Sequence, residues 1–191
     1  MEAGGSRFLT SDVQYACLKT KKMIHVYTGE GEGKTISALG LALRAIGHGQ
    51  KVVMIQFMKG RKNTGEYLIA KRLSPEFELY QFGGEDFIDV ENPDKIDFEL
   101  AERGFSFLKE IVKKKPDLLI LDEINLAIAV GLLKLDSVLD FLDEIPTEMT
   151  VILTGRRAPK ELIKRSDLAT EMKYIKHPFE RGIEAREGLD Y

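Results

Sequence analysis

A chain of 191 residues, 43% hydrophobic and 31% charged, has the make-up of an ordinary soluble globular protein and the length for one domain with a substantial core. A formal net charge of −3 argues against a general nucleic-acid binder, which carries a basic excess, and Cys17, the single cysteine, rules out a disulfide framework or a cysteine-based metal site within one chain. No apolar stretch approaches the roughly 18 residues of a membrane span and the N-terminus lacks the order of a secretion signal, so a cytoplasmic protein without nucleic-acid or membrane partners is expected.

Residues 1–21 lack strong periodicity and read as an N-terminal arm; residues 22–191 read as one domain. A first strand at 23–27 runs into Thr28-Gly29-Glu30-Gly31-Glu32-Gly33-Lys34-Thr35, a glycine-rich turn closed by Lys-Thr. Ile36, Leu39, Leu43 and Ile46 follow at helical spacing, and Gly47 and Gly49 end that helix. Strand, glycine turn and helix in this order form a phosphate-binding loop. A polyphosphate needs donors packed around it. Glycines let the chain curl so that backbone N–H groups supply them, and the helix adds its free N-terminal amides and positive dipole end. Lys34 is expected on the outer phosphates and the Thr35 hydroxyl on Mg²⁺. Thr28 stands where the consensus asks for the first glycine, with Gly29 and Gly31 beside it. A plain solvated turn would explain the glycines but not the strand before and the helix after.

Further strands are expected at 52–57, 77–82, 118–122, 149–153 and 172–176, with helices over 64–73, 95–113, Leu132–Leu142 and Pro159–Arg165 between them. The longest loop-like segment is 83–94. Val52-Val53-Met54-Ile55 and Leu118-Leu119-Ile120-Leu121 are continuous apolar runs, as strands buried on both faces should be. Alternating strands and helices imply an α/β fold: a mostly parallel central sheet with helices on both faces, of the RecA-like P-loop type.

Leu118-Leu119-Ile120-Leu121-Asp122-Glu123 ends a strand in two acids. An acid at the carboxyl end of a neighbouring strand can bind Mg²⁺ directly or through water, and Asp122 and Glu123 point differently, so one of them is nearest the metal. Asp122 could instead cap a helix starting near Ile124; the phosphate loop upstream favours the metal. Thr154-Gly155-Arg156-Arg157 follows another strand on the same sheet edge, which places Arg156 to contact phosphate. Arg44, on the first helix, is a weaker phosphate candidate. His25, His48 and His177 fit no metal spacing and suit structural or capping roles.

From these residues alone an ATPase, with Glu123 activating water, and a transferase remain open. The run from Thr28 to Thr35, then Arg44-Ala45-Ile46-Gly47-His48-Gly49, Val53-Met54-Ile55-Gln56-Phe57-Met58-Lys59-Gly60, Leu121-Asp122-Glu123, Thr154-Gly155-Arg156 and the tail Lys176-His177-Pro178-Phe179 through Gly188-Leu189-Asp190-Tyr191 resembles the ATP:corrinoid adenosyltransferase family of the phosphate-loop type over roughly residues 22–191. That family shares the threonine at position 28.

The resemblance implies that cobalt(I) of a reduced corrinoid, cobalamin or cobinamide, attacks the 5′ carbon of ATP and that tripolyphosphate leaves. It implies that Lys34 and the loop amides hold phosphates, that Thr35 with Glu123 or Asp122 holds Mg²⁺, and that Arg156 touches the triphosphate. It implies a flavoprotein reductant such as flavodoxin, and bulky apolar residues that remove the corrinoid's lower ligand. Phe87 is the candidate there, although members of the family carry Gly-Phe-x-Trp and this chain has no tryptophan. Glu32 is a second departure, since many members have lysine at that place; it either lowers positive charge near the phosphates or turns to solvent. An arm in place of 1–21 covers a partner subunit's corrinoid site in the family, so a homodimer is expected.

Overall fold

A computed structural model describes residues 22–86 and 88–189 of the chain. The expected arm at 1–21 and the candidate Phe87 lie outside the described residues. The elements are β1 (Met23–Thr28), α1 (Lys34–Gly47), β2 (Val52–Phe57), α2 (Gly65–Arg72), β3 (Phe77–Phe82), α3 (Lys95–Lys114), β4 (Leu118–Asp122), α4 (Ile124–Ala129), α5 (Leu135–Glu144), β5 (Thr150–Thr154), α6 (Lys160–Arg165) and β6 (Leu168–Glu171), followed by a 3-10 turn at Pro178–Arg181. The strands form one six-stranded sheet in the order β3-β2-β4-β5-β1-β6, and every pairing is parallel.

The apolar runs explain the centre of that sheet. Every residue of β2 and β4 is buried. Side chains alternate across a strand, so Leu119 and Leu121 face one side while Leu118 and Ile120 face the other. The first side packs on α3, α4, α5 and α6 through Leu108, Ile111, Ile124, Val138, Leu142 and Leu162. The second packs on α1 and α2 through Ala38, Ala42, Ala45 and Ala70. Helices therefore cover both faces, and all six strands lie parallel.

Three expectations are corrected, and one helix face is added. The last strand is β6 at 168–171, not 172–176. It is an edge strand with all four residues exposed, so no apolar run marks it. Backbone pairing with β1 and the Asp167 carboxylate, which accepts the Ile24 N–H at 2.8 Å, hold it instead. The acidic strand β4 is not a neighbour of β1, because β5 lies between them. The helix expected from Leu132 begins at Leu135, since Leu132 and Leu133 are buried in the turn that follows α4. Finally, α1 buries its alanines rather than its larger residues: Ile36 is 63% and Leu43 65% exposed. Alanines let the helix axis lie close to the sheet, while Leu39, Leu41 and Ile46 pack partly buried against the same core.

Candidate functional site

Parallel strands bring their carboxyl ends to one edge, so the turns after β1, β2, β4 and β5 converge there. The loop from Thr28 to Lys34 is shaped by local sterics. Gly33 sits at φ 102° as the residue before α1, a conformation that side-chain-bearing residues rarely adopt. Gly31 is needed for close approach: a Cβ there would lie 2.6 Å from the Lys173 carbonyl carbon. The segment after β6 crosses over the loop, with the Gly31 N–H donating to the Met172 carbonyl at 2.7 Å. Thr28 is the end of β1, and its hydroxyl accepts the Ala158 N–H at 3.1 Å, which ties the loop to the turn before α6. That contact uses the hydroxyl a glycine would lack.

Lys34 is buried and curls back over the loop, donating to the carbonyls of Gly29 at 2.8 Å and Gly31 at 2.5 Å. Burial lowers its pKa from the ordinary lysine value, opposed in part by Glu123. Beneath it, Asp122 is fully buried at the end of β4. Its Oδ1 accepts from the Thr35 hydroxyl at 2.9 Å and the Thr154 hydroxyl at 2.6 Å. Its Oδ2 accepts from Lys59 at 2.8 Å and Gln56 at 3.1 Å. Burial works to raise the Asp122 pKa, but the Lys59 charge and these donors outweigh it and hold the carboxyl below its ordinary range. For Lys59, burial likewise works against the charge, and Asp122 and then Glu123 bring the ammonium above its ordinary value.

Glu123 follows with φ 61°, a left-handed conformation. Its N–H donates to the Thr154 hydroxyl at 3.1 Å, and its side chain lines the cavity. Burial, and then the charge of Asp122, raise its pKa. The helix near Ile124 exists, but Glu123 precedes it without a side-chain cap, so Asp122 is not a helix cap. Asn125 braces this corner by donating to the carbonyls of Tyr27 at 3.1 Å and Gly155 at 3.2 Å.

The loop's two acids both have side-chain partners. Glu30 lies 3.4 Å from Arg156, and Glu32 lies 2.6 Å from His177 of the C-terminal tail. Glu32 is thus exposed and paired rather than aimed at the loop interior. Arg156 lines the cavity, whereas Arg44 is exposed at the end of α1 and is not one of the described lining residues. His25 is half-buried, its two ring nitrogens shielded from solvent and unbonded, and burial lowers its pKa; His48 ends α1, its N–H donating to Ala45 and Ile46. Sequence reasoning gave no role to Gln56, Lys59 or Thr154. A glutamine inside the otherwise apolar run of β2 was the available signal, since a fully buried amide needs partners.

The loop, Lys59, Glu123 and Arg156 border a cavity of about 640 Å³. Its lining combines polar groups, from the loop, Lys59, Glu123 and Arg156, with the apolar side chains of Ile36, Leu39, Leu43, Ile69 and Leu73. The Thr35 hydroxyl with the Asp122 and Glu123 carboxylates is an all-oxygen donor set. Among the described residues no group of three His, Cys, Asp or Glu forms that could hold a metal ion by itself. A partial oxygen shell of this kind fits Mg²⁺, which takes its remaining ligands from water and substrate phosphates.

A model of the family described as ATP:corrinoid adenosyltransferase BtuR/CobO/CobP matches residues 20–191. Proteins named corrinoid adenosyltransferase are similar over most of the chain. That of Sinorhizobium sp is 38% identical, covering 90% of this chain and 81% of its own. That of Pseudomonas aeruginosa is 38% identical over 87% and 82%, and that of Escherichia coli strain K12 is 34% identical over 88% and 85%. In fold, the chain resembles the flagellar accessory protein FlaH from Methanocaldococcus jannaschii, with a TM-score of 0.52 at 17% identity, covering 78% of this chain and 70% of that one.

Proposed function

The chain belongs to the ATP:corrinoid adenosyltransferase family and is a transferase that moves an adenosyl group from ATP to a corrinoid, and we propose how its residues serve that reaction. Lys34 and the loop amides hold the phosphates. Thr35 with Asp122 and Glu123 holds Mg²⁺, which supplies charge neutralisation on the triphosphate when bound. Arg156 exchanges its exposed partner Glu30 for the triphosphate. An exposed ion pair at 3.4 Å contributes little, so exchanging it for a phosphate costs about 1 kcal/mol or less.

One observation carries this reading. The described residues lining the cavity gather the glycine loop with Lys34, Lys59 and Arg156, donors and cations suited to a polyphosphate. The protein supplies phosphate ligands, and the nucleophile arrives with the substrate. Cobalt(I) of the corrinoid, cobalamin or cobinamide, attacks the 5′ carbon of ATP, a cobalt–carbon bond forms, and the electron pair of the broken carbon–oxygen bond leaves with tripolyphosphate. A cavity of about 640 Å³ suits a nucleotide, so the larger corrinoid reaches the 5′ carbon from the opening. The protein's contribution is positioning and stabilisation of the leaving triphosphate. Phe87 as the residue that displaces the corrinoid's lower ligand, a flavoprotein reductant such as flavodoxin, a homodimer and a cytoplasmic location belong to the same proposal. Among the described residues no helix is long and apolar enough to cross a membrane.

Phosphorus NMR of Mg-ATP with the protein and chemically reduced cobalamin tests the reaction. Tripolyphosphate is expected, and only when the reduced corrinoid is present. ADP, with or without cobalamin, would instead mark an ATPase or kinase.

A further inference from the structure

Lys59 touches two of the oxygens assigned above to Mg²⁺. Its ammonium lies 2.8 Å from Asp122 Oδ2 and 3.4 Å from the Thr35 hydroxyl. A Mg²⁺ held by those same oxygens would compete with the ammonium for them, since two like charges repel at such range. We propose that Lys59 holds the cation seat of the phosphate loop while the site is empty, and that it becomes a second phosphate-positioning lysine when the metal and triphosphate enter. This rests on the reading of Thr35 and Asp122 as the Mg²⁺ seat.

Asp122 makes a resident cation necessary. It is fully buried, and a buried carboxylate without a counter-charge is heavily penalised. Without metal, Lys59 is the ammonium that touches it. The backbone that delivers Lys59 is fixed. Met58, at φ 58°, donates its N–H to the Phe82 carbonyl at 3.0 Å, and a Cβ on Gly60 would lie 2.3 Å from the Gly83 oxygen. The flexible stem beyond it is what can move. Lys59 already lines the cavity, so a triphosphate there is within its reach. Glu123 and Glu66 also attract it, and Glu66 is the competing destination.

The test uses the full chain, Mn²⁺ as a paramagnetic probe followed by electron paramagnetic resonance, and tripolyphosphate as the anion. Lys59→Gln keeps a hydrogen-bonding group near Asp122 but removes the charge; Lys59→Arg keeps the charge and guards against loss of fold, which circular dichroism reports. Ligand-free wild type and Lys59→Arg are expected to bind Mn²⁺ weakly, and Lys59→Gln about tenfold or more tightly, because a like charge has left the seat. With saturating Mg²⁺, tripolyphosphate affinity is expected to fall about tenfold in Lys59→Gln, and much less in EDTA, where the wild-type ammonium stays on Asp122. Equal ligand-free Mn²⁺ affinity in wild type and Lys59→Gln overturns the proposal. So does a tripolyphosphate loss that ignores the metal, or no loss at all, the result expected if the ammonium moves to Glu66. Failure of every protein to bind Mn²⁺ even with tripolyphosphate would instead remove the metal seat on which the inference stands.

Discussion

Glu123 combines two unfavourable features: a left-handed backbone at φ 61° and a carboxyl whose pKa burial, then Asp122, push upward. A carboxyl harder to ionise in the fold than in the open chain opposes folding once charged. Stability is therefore lost as pH rises from the ordinary value of 4.5 through the folded one. Glu123→Gln removes that titration, so urea denaturation is expected to show a variant more stable than wild type, by a margin that grows from pH 4 to pH 7. A flat or reversed margin would mean that Lys34, Lys59 and Arg156 fully offset the burial. Lys34 is the opposite case, a buried cation whose two carbonyl contacts hold it over the loop. Lys34→Ala removes a charge-assisted phosphate bond of about 1.5–3 kcal/mol, so Mg-ATP affinity by equilibrium dialysis should fall about tenfold or more. Unchanged affinity would take the triphosphate away from this loop.

The loop functions as part of a larger element, because the segment after β6 lies across it. Gly31 has its amide on Met172 and its Cα against the Lys173 backbone. Gly31→Ala forces those two segments apart, which should cost about 1–3 kcal/mol of stability and lower Mg-ATP affinity together. Retention of both would show that the tail is loosely placed. This crossing also marks the limit of what the sequence carries. β1, the loop and α1 were legible because glycine spacing and apolar runs are local signals, and β2 and β4 because strands buried on both faces must be apolar throughout. β6 was not legible, since an exposed edge strand is held by main-chain pairing and by Asp167, which leave no periodic trace. The insertion of β5 between β1 and β4 is a matter of strand order, which periodicity does not encode. The buried face of α1 leaves little apolar signal for a related reason: Ala38 and Ala42 fit the narrow gap to the sheet, while Ile36 and Leu43 are exposed. In the site, Asp122 was legible as an acid after an apolar run, while Lys59 on it was not, because that contact spans 63 positions.

At the scale of the whole molecule, one parallel sheet with a packed core on each face sends four turns to a single edge. A buried carboxylate with its donors fixes that edge from below, and the loop and cavity lie above it. In the proposed reaction this frame grips a triphosphate while the reacting metal comes from outside. ATP labelled with carbon-13 at the 5′ position, mixed with Mg²⁺, reduced cobalamin and the protein, tests it directly by carbon NMR. The label is expected to move to a cobalt-bound carbon as tripolyphosphate is released, at a rate that Lys34→Ala lowers. A label that stays in an intact adenosine phosphate while ATP is consumed would contradict the account.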